Sequence, residues 1–282
     1  MPTLTCDISQ SLADALTRYQ QRTGEPTAHV VMRALADALQ VEHATLFQVS
    51  TSGALVEGVY QGVVAVGTLK AHGDFGLGTF ADLDGEMVAL DGRYHQVRAS
   101  GAVVEAPDAA LVPFAVVTHF RPERTVPVPA FDALDALLAA LDAVRDSSNL
   151  FFAVRARGTF DYVKTRAVCK AETPTTLVEA AAHQAEFEFT AIAGTLVGFW
   201  TPEYAKAVNV AGYHLHFLSD DRRHGGHLLA CRGLGLQVQV EHTADFRMAI
   251  PETPQFLKAD LTGDPSQALD RAERDHPRAG DQ

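Results

Sequence analysis

The chain has 282 residues, of which 47% are hydrophobic and 21% charged, and its formal net charge is −12. That length holds one large domain or two of ordinary size with a substantial core. The acidity, with no basic stripe, excludes a nucleic-acid partner, because phosphate neutralisation needs clustered Lys and Arg.

An anionic small molecule is still compatible with this charge, since one buried Arg or a metal binds a carboxylate in an acidic protein. Residues 1–22 carry polar side chains every few positions and no apolar stretch of signal-peptide length. No run approaches the roughly 18 apolar residues of a membrane span, so the expectation is a cytoplasmic protein with no membrane partner. Cys6, Cys169 and Cys231 are widely spaced and odd in number, which gives no disulfide framework and fits a reducing compartment.

Residues 1–42 read as a helical segment. Leu12, Ala15 and Leu16, then Val30, Val31, Leu35 and Leu39, recur at helical spacing, and Gly24-Glu25-Pro26 breaks the segment in two. Residues 43–149 read as an N-terminal β-rich domain, with short strands expected over 45–49, 69–80, 86–90, 94–97, 102–105 and 113–118. The glycine-dense run 73–80 (GDFGLGTF) lacks the Lys and helix start of a phosphate loop, so its glycines are expected to permit a bulge or close approach of another backbone. An Asp84-Gly85 turn sets Glu86 at the start of a strand. Phe131, Leu134, Leu137, Leu138, Leu141 and Val144 follow amphipathic-helix spacing, and this helix is expected to cover the first sheet.

Residues 146–149 (DSSN) read as a linker, and 150–282 as a C-terminal β-rich domain with a polar tail. Strands are expected over 150–155, 160–169, 187–190, 195–200 and 235–240, with short helices over 175–183 and 265–274. The fold class is α+β: two sheet-based subdomains of largely antiparallel or mixed sheet with packed helices.

The most informative stretch is 212–219 (GYHLHFLS), followed by a turn-rich loop and then Gly225-Gly226-His227. As a strand, the run puts His214 and His216 on one face, with Tyr213, Leu215 and Phe217 on the other. The simplest hairpin register pairs Leu218 with Gly225 and His216 with His227, which brings a third imidazole to the same face with cross-strand Cβ atoms about 4.5–5.5 Å apart. Three neutral imidazoles without a cysteine suit zinc, nickel, copper or iron, and a fourth position left to water or substrate marks a catalytic site. The competing reading is a sheet surface with incidental histidines. His72, His95, His119, His224 and His242 are read as surface or internally satisfied histidines rather than ligands.

Residues 73–80, 83–86 (LDGE), 162–166 (YVKTR), 198–202 (GFWTP), 212–216 (GYHLH) and 225–227 (GGH) together resemble the α-acetolactate decarboxylase family, in its order and close to its spacing. The resemblance runs from about residue 46 to residue 260 and leaves the N-terminal helical segment unmatched. It implies two-domain α/β subunits that form homodimers, and conversion of 2-acetolactate to acetoin and carbon dioxide. It further implies one zinc ion held by His214, His216 and His227, with Thr79 and Arg166 binding substrate and Glu86, Arg166 and a C-terminal glutamate, best fitted by Glu273, as catalytic residues.

In the chemistry so implied, the hydroxyl and keto oxygens of the substrate chelate the metal, which stabilises the enediolate left by decarboxylation. Arg166 holds the departing carboxylate by paired hydrogen bonds, and Glu86 or Glu273 supplies the proton. Two other classes stand beside this one: a cupin-like metal oxygenase or isomerase with a His-x-His strand, and a non-catalytic module with a structural metal.

Overall fold

The computed structural model describes residues 4–39, 45–171, 175–182 and 184–273. Met1–His43 and Ala44–Gln282 are separate units. The first holds α1 (Gln10–Thr23) and α2 (Thr27–Leu39). The Ser9 hydroxyl caps α1 by accepting from the Leu12 N–H at 3.3 Å, and the helices part at the expected Gly24-Glu25-Pro26 break.

The second unit begins with β1 (Thr45–Val49), α3 (Ser52–Val56), β2 (Val64–Ala65), α4 (Val66–Leu69), β3 (Phe75–Thr79), β4 (Glu86–Leu90) and β5 (Arg93–Val97). It continues through β6 (Val103–Glu105), β7 (Leu111–Val112), β8 (Phe114–Thr118), β9 (Arg124–Val128), α5 (Leu134–Val144), β10 (Phe151–Ala167) and α6 (Leu177–Ala181). β11 (Ala185–Thr201), β12 (Gly212–Ser219), β13 (Gly225–Thr243), β14 (Asp245–Ala249), α7 (Pro254–Lys258) and α8 (Ser266–Glu273) complete it.

Among the described residues, a seven-stranded sheet runs in the order β14-β1-β8-β3-β4-β5-β6, and a five-stranded sheet in the order β10-β11-β12-β13-β9, with β2 and β7 paired separately. β1 and β14 pair in parallel; the other pairs are antiparallel, as the α+β, largely antiparallel expectation requires. β10 pairs with β11 on one edge and β13 on the other, so four long strands close on themselves.

The period-two alternation of strand residues sorts the core. Leu77 of β3, Val88 and Leu90 of β4, and Phe114 and Val116 of β8 share one buried cluster with Ala153, Val197 and Phe199 of the second sheet. Met87, Ala89, Ala115 and Val117 point the other way, into a cluster with Val66 and Leu69 of α4. Thr79 follows Leu77 by two positions and Glu86 precedes Val88 by two, so both face the second sheet. The glycine run provides the expected close approach: a Cβ on Gly78 would overlap the Phe114 carbonyl oxygen and lie 2.8 Å from the Cα of Ala115 on β8.

Three expectations are corrected. The strand expected over 69–80 is only β3, Phe75–Thr79, because α4 ends at Leu69 and the chain turns before Phe75. The strands of the second sheet are longer than the sequence pattern suggested. Segments 150–155 and 160–169 fall in one strand, β10, and 187–190 and 195–200 in one strand, β11, because β10 pairs with β11 in a single register from end to end and with β13 through register shifts near Gly158 and Phe160. The third concerns α5, which packs on the second sheet rather than the first. Leu137, Leu141 and Val144 join Phe152, Val154, Leu215 and Val238 in one buried cluster, because β9 has already joined β13 before the helix starts.

Candidate metal centre and active site

The histidine hairpin forms in the register that its turn residues favour. His216 pairs with His227, Phe217 with Gly226 and Leu218 with Gly225. The loop is held by Ser219, whose hydroxyl accepts from the N–H groups of Arg223 and His224 at 3.2 and 3.0 Å and donates to Asp221 Oδ1 at 2.6 Å. On the opposite face Leu215 and Phe217 bury against Phe160 and the helix α5 side of the core, which fixes the imidazoles on the other side.

His214, His216 and His227 are buried, and one ring nitrogen from each lies within 4.8 Å of the others. The His216 Nδ1–H donates to the Met87 carbonyl at 2.9 Å, a backbone group of the first sheet. That bond fixes the tautomer and leaves the Nε2 lone pair directed at His214, whose Nε2 is 3.2 Å away. Burial, followed by the neighbouring His214, holds the His216 imidazole well below its ordinary pKa. With His216 Nε2 unprotonated, the His214 Nε2 meets it either as an N–H donor or through a cation held between the rings, and three neutral imidazoles each offer one such lone pair. The donor set therefore fits a metal ion.

The first sheet supplies the facing wall. Glu86, the cross-strand partner of Thr79, is only 5% exposed although it opens a strand. Its Oε2 lies 3.7 Å from His216 Nε2 and its Oε1 lies 4.0 Å from Arg166 Nη1. The Thr79 hydroxyl donates to the Gly85 carbonyl at 2.8 Å, which ties the end of β3 to the turn that presents Glu86. Arg166, 2% exposed, sits on β10 directly across from His227 on β13. Its Nη1 donates to Gln184 Oε1 at 3.2 Å.

A cavity of about 450 Å³, counting the part open to solvent, brings Thr79, Glu86, Arg166 and His214 onto one lining. Leu55 of α3, Leu177 of α6 and Leu269 of α8 form its apolar side. The structure thus places together six of the seven residues expected from sequence. The seventh, Glu273, is the last residue of α8, one helical turn beyond Leu269, and its side chain lies outside the described residues. Trp200 and Tyr213 line a second pocket that shares His214 and Leu269 with the first and also includes His227, with the Arg145 guanidinium 3.5 Å above the Trp200 ring. Sequence reasoning missed Gln184, which lies in no motif, and the Met87 carbonyl, for which a backbone acceptor leaves no side-chain signal.

A protein-family model described as alpha-acetolactate decarboxylase matches residues 46–263, well over half of the chain. The chain belongs to the alpha-acetolactate decarboxylase family. It is by that membership an enzyme of the carboxy-lyase class. Among its relatives, the alpha-acetolactate decarboxylase of Methylococcus capsulatus is 46% identical over 235 residues, covering 82% of this chain and 90% of the relative. That of Methanosarcina mazei is 44% identical over 230 residues, covering 81% and 80%. The crystal structure of alpha-acetolactate decarboxylase from Bacillus subtilis strain 168 superposes with a TM-score of 0.80 at 33% identity, covering 82% of this chain and all of that one. The matched span begins after the N-terminal helical unit, so the family fold is that of the second unit. Among the described residues no helix is long and apolar enough to cross a membrane.

Proposed function

We propose that this chain decarboxylates 2-acetolactate to acetoin and carbon dioxide, with one zinc ion held by His214, His216 and His227. The observation that carries this reading is a cluster of three buried imidazoles of which His214 shares one cavity lining with a buried Arg and a buried Glu, and His216 lies 3.7 Å from that Glu, in a member of this family. When bound, the metal supplies a Lewis acid for the oxygen on which negative charge collects as carbon dioxide departs.

The protein's own residues do the rest. Arg166 presents a planar guanidinium at the cavity wall and holds the substrate carboxylate by paired hydrogen bonds. Glu86, between that guanidinium and His216, holds the proton that is delivered to carbon after the carboxylate leaves. Thr79 binds substrate at the cavity wall and, through its bond to the Gly85 carbonyl, keeps Glu86 in place. Leu55, Leu177 and Leu269 exclude water from the reacting carbon, which keeps every charge interaction in the cavity strong. Glu273, at the end of α8, is the second candidate for the proton. The subunit is proposed to work as a cytoplasmic homodimer, which sedimentation of the purified protein checks.

The reaction is tested by supplying the purified protein with acetolactate and following acetoin and carbon dioxide together. Equal amounts of the two products support the assignment; consumption of oxygen in place of carbon dioxide release would transfer it to an oxygenase.

A further inference from the structure

The buried guanidinium of Arg166 is held by an uncharged side chain that belongs to no recognised motif. Gln184 lies one residue before β11, half buried, and its Oε1 accepts from Arg166 Nη1 at 3.2 Å. A guanidinium only donates, so the amide oxygen must face it and the amide nitrogen must face away. That nitrogen donates to Glu186 Oε1 at 3.3 Å, and the other oxygen of Glu186 lies 3.4 Å from the Lys164 ammonium. The amide is thereby locked at both ends, with Lys164 and Arg166 on one strand and Glu186 on the next, where Arg166 and Glu186 are direct cross-strand partners.

We propose that Gln184 is a positioning residue for Arg166. Its amide oxygen fixes one edge of the guanidinium at the cavity wall, and it does so without a negative charge that would compete with an anionic substrate for the same donors. A carboxylate of the same shape would hold Arg166 as firmly but would lower its attraction for a second carboxylate. Neutrality at position 184 is then a specificity feature, directed at the carboxylate of the substrate and indifferent to the uncharged product. This inference rests on the reading of Arg166 as the residue that holds the substrate carboxylate.

The test uses two substitutions in the metal-loaded full chain, with acetolactate as the anionic ligand and acetoin as the neutral one. Gln184→Glu preserves shape and the hydrogen bond accepted from Arg166 but turns a carboxylate oxygen toward Glu186 Oε1 in place of the amide nitrogen; it is expected to keep its metal content, to melt a few degrees lower, and to raise KM for acetolactate by about tenfold or more. Inhibition by acetoin is expected to stay within about twofold of the parent, because a neutral ligand does not compete for the charge. Gln184→Met removes the acceptor and is expected to lower kcat/KM by about tenfold through a less ordered guanidinium. A merely structural role would shift acetolactate and acetoin together. If Gln184→Glu leaves KM for acetolactate near the parent value while Arg166→Gln abolishes turnover, the role of Gln184 is refuted and that of Arg166 stands. If Arg166→Gln itself retains parental KM and kcat, the reading of Arg166 falls, and the inference with it.

Discussion

Replacing Gly85 with alanine tests the link between backbone geometry and the site. Gly85 has a φ of +88°, and a Cβ there would overlap the Val97 carbonyl oxygen and lie 3.0 Å from its carbon. The left-handed backbone alone costs an L residue about 1–2 kcal/mol. Relieving the overlap means moving β4 off β5 where Glu86 pairs with Val97, at a further cost of about 1 kcal/mol for a weakened ladder bond. Gly92, at the other end of the same strand, provides the control: its φ is +77°, and a Cβ there would meet nothing within 4 Å. Gly92→Ala should therefore lose only the backbone term of about 1–2 kcal/mol and leave turnover unchanged. Gly85→Ala should lose roughly 2–3 kcal/mol and, by shifting Glu86 and the acceptor of Thr79, reduce kcat by about 100-fold. Urea denaturation and initial rates of acetoin formation give both quantities. Equal stability losses and equal rates in the two variants would refute the reasoning.

Other outcomes follow from the site and its surroundings. His216→Ala should remove both the bound metal and turnover, read by elemental analysis beside activity, whereas Arg166→Gln should keep the metal and lose turnover. Glu86→Gln, close to isosteric, should retain the metal and lower kcat by about 10²–10⁴-fold; a variant as active as the parent would move the proton to Glu273. Far from the chemistry, burial pushes the Glu241 carboxyl up to about 7 from its ordinary 4.5, while the Arg121 backbone N–H lowers it. A carboxyl whose folded value is raised contributes stability that is complete below its ordinary value and is lost as pH rises through about 7. Glu241→Gln should abolish that decline, gaining up to about 3 kcal/mol over the parent at pH 8 and nothing at pH 4. Urea midpoints measured at both pH values check it, and parallel pH profiles for parent and variant would count against a raised carboxyl.

The hairpin was legible because its code is local. Alternation set the face of His214 and His216, and a loop of Asp, Arg and Gly set the register that brings in His227. Thr79 and Glu86 were found through the family resemblance; their pairing across β3 and β4 is set by the whole connection from Phe80 to Gly85, with its 3-10 turn over Ala81–Leu83, and not by the Asp84-Gly85 step alone. The burial of Glu86 was not legible, since it depends on the second sheet lying over that end of β4. Strand lengths were underestimated because glycine and bulge positions look like strand ends in the pattern, whereas the ladder continues through them. The sheet covered by α5 was assigned wrongly because an amphipathic stripe says that a helix is buried and not against what. The Met87 carbonyl acts through one hydrogen bond to a residue far along the chain, and Gln184 through bonds to Arg166 and Glu186 on paired strands; neither leaves a periodicity to read.

The central claim is that three histidines hold a metal on which decarboxylation of acetolactate depends. The most direct measurement is acetoin formed from acetolactate by the purified protein, in matched samples before chelation, after removal of the metal, and after zinc is restored. The account predicts acetoin in the first, none above the uncatalysed rate in the second, and recovery in the third with about one zinc per chain. Undiminished acetoin formation by protein shown to be free of metal would contradict it.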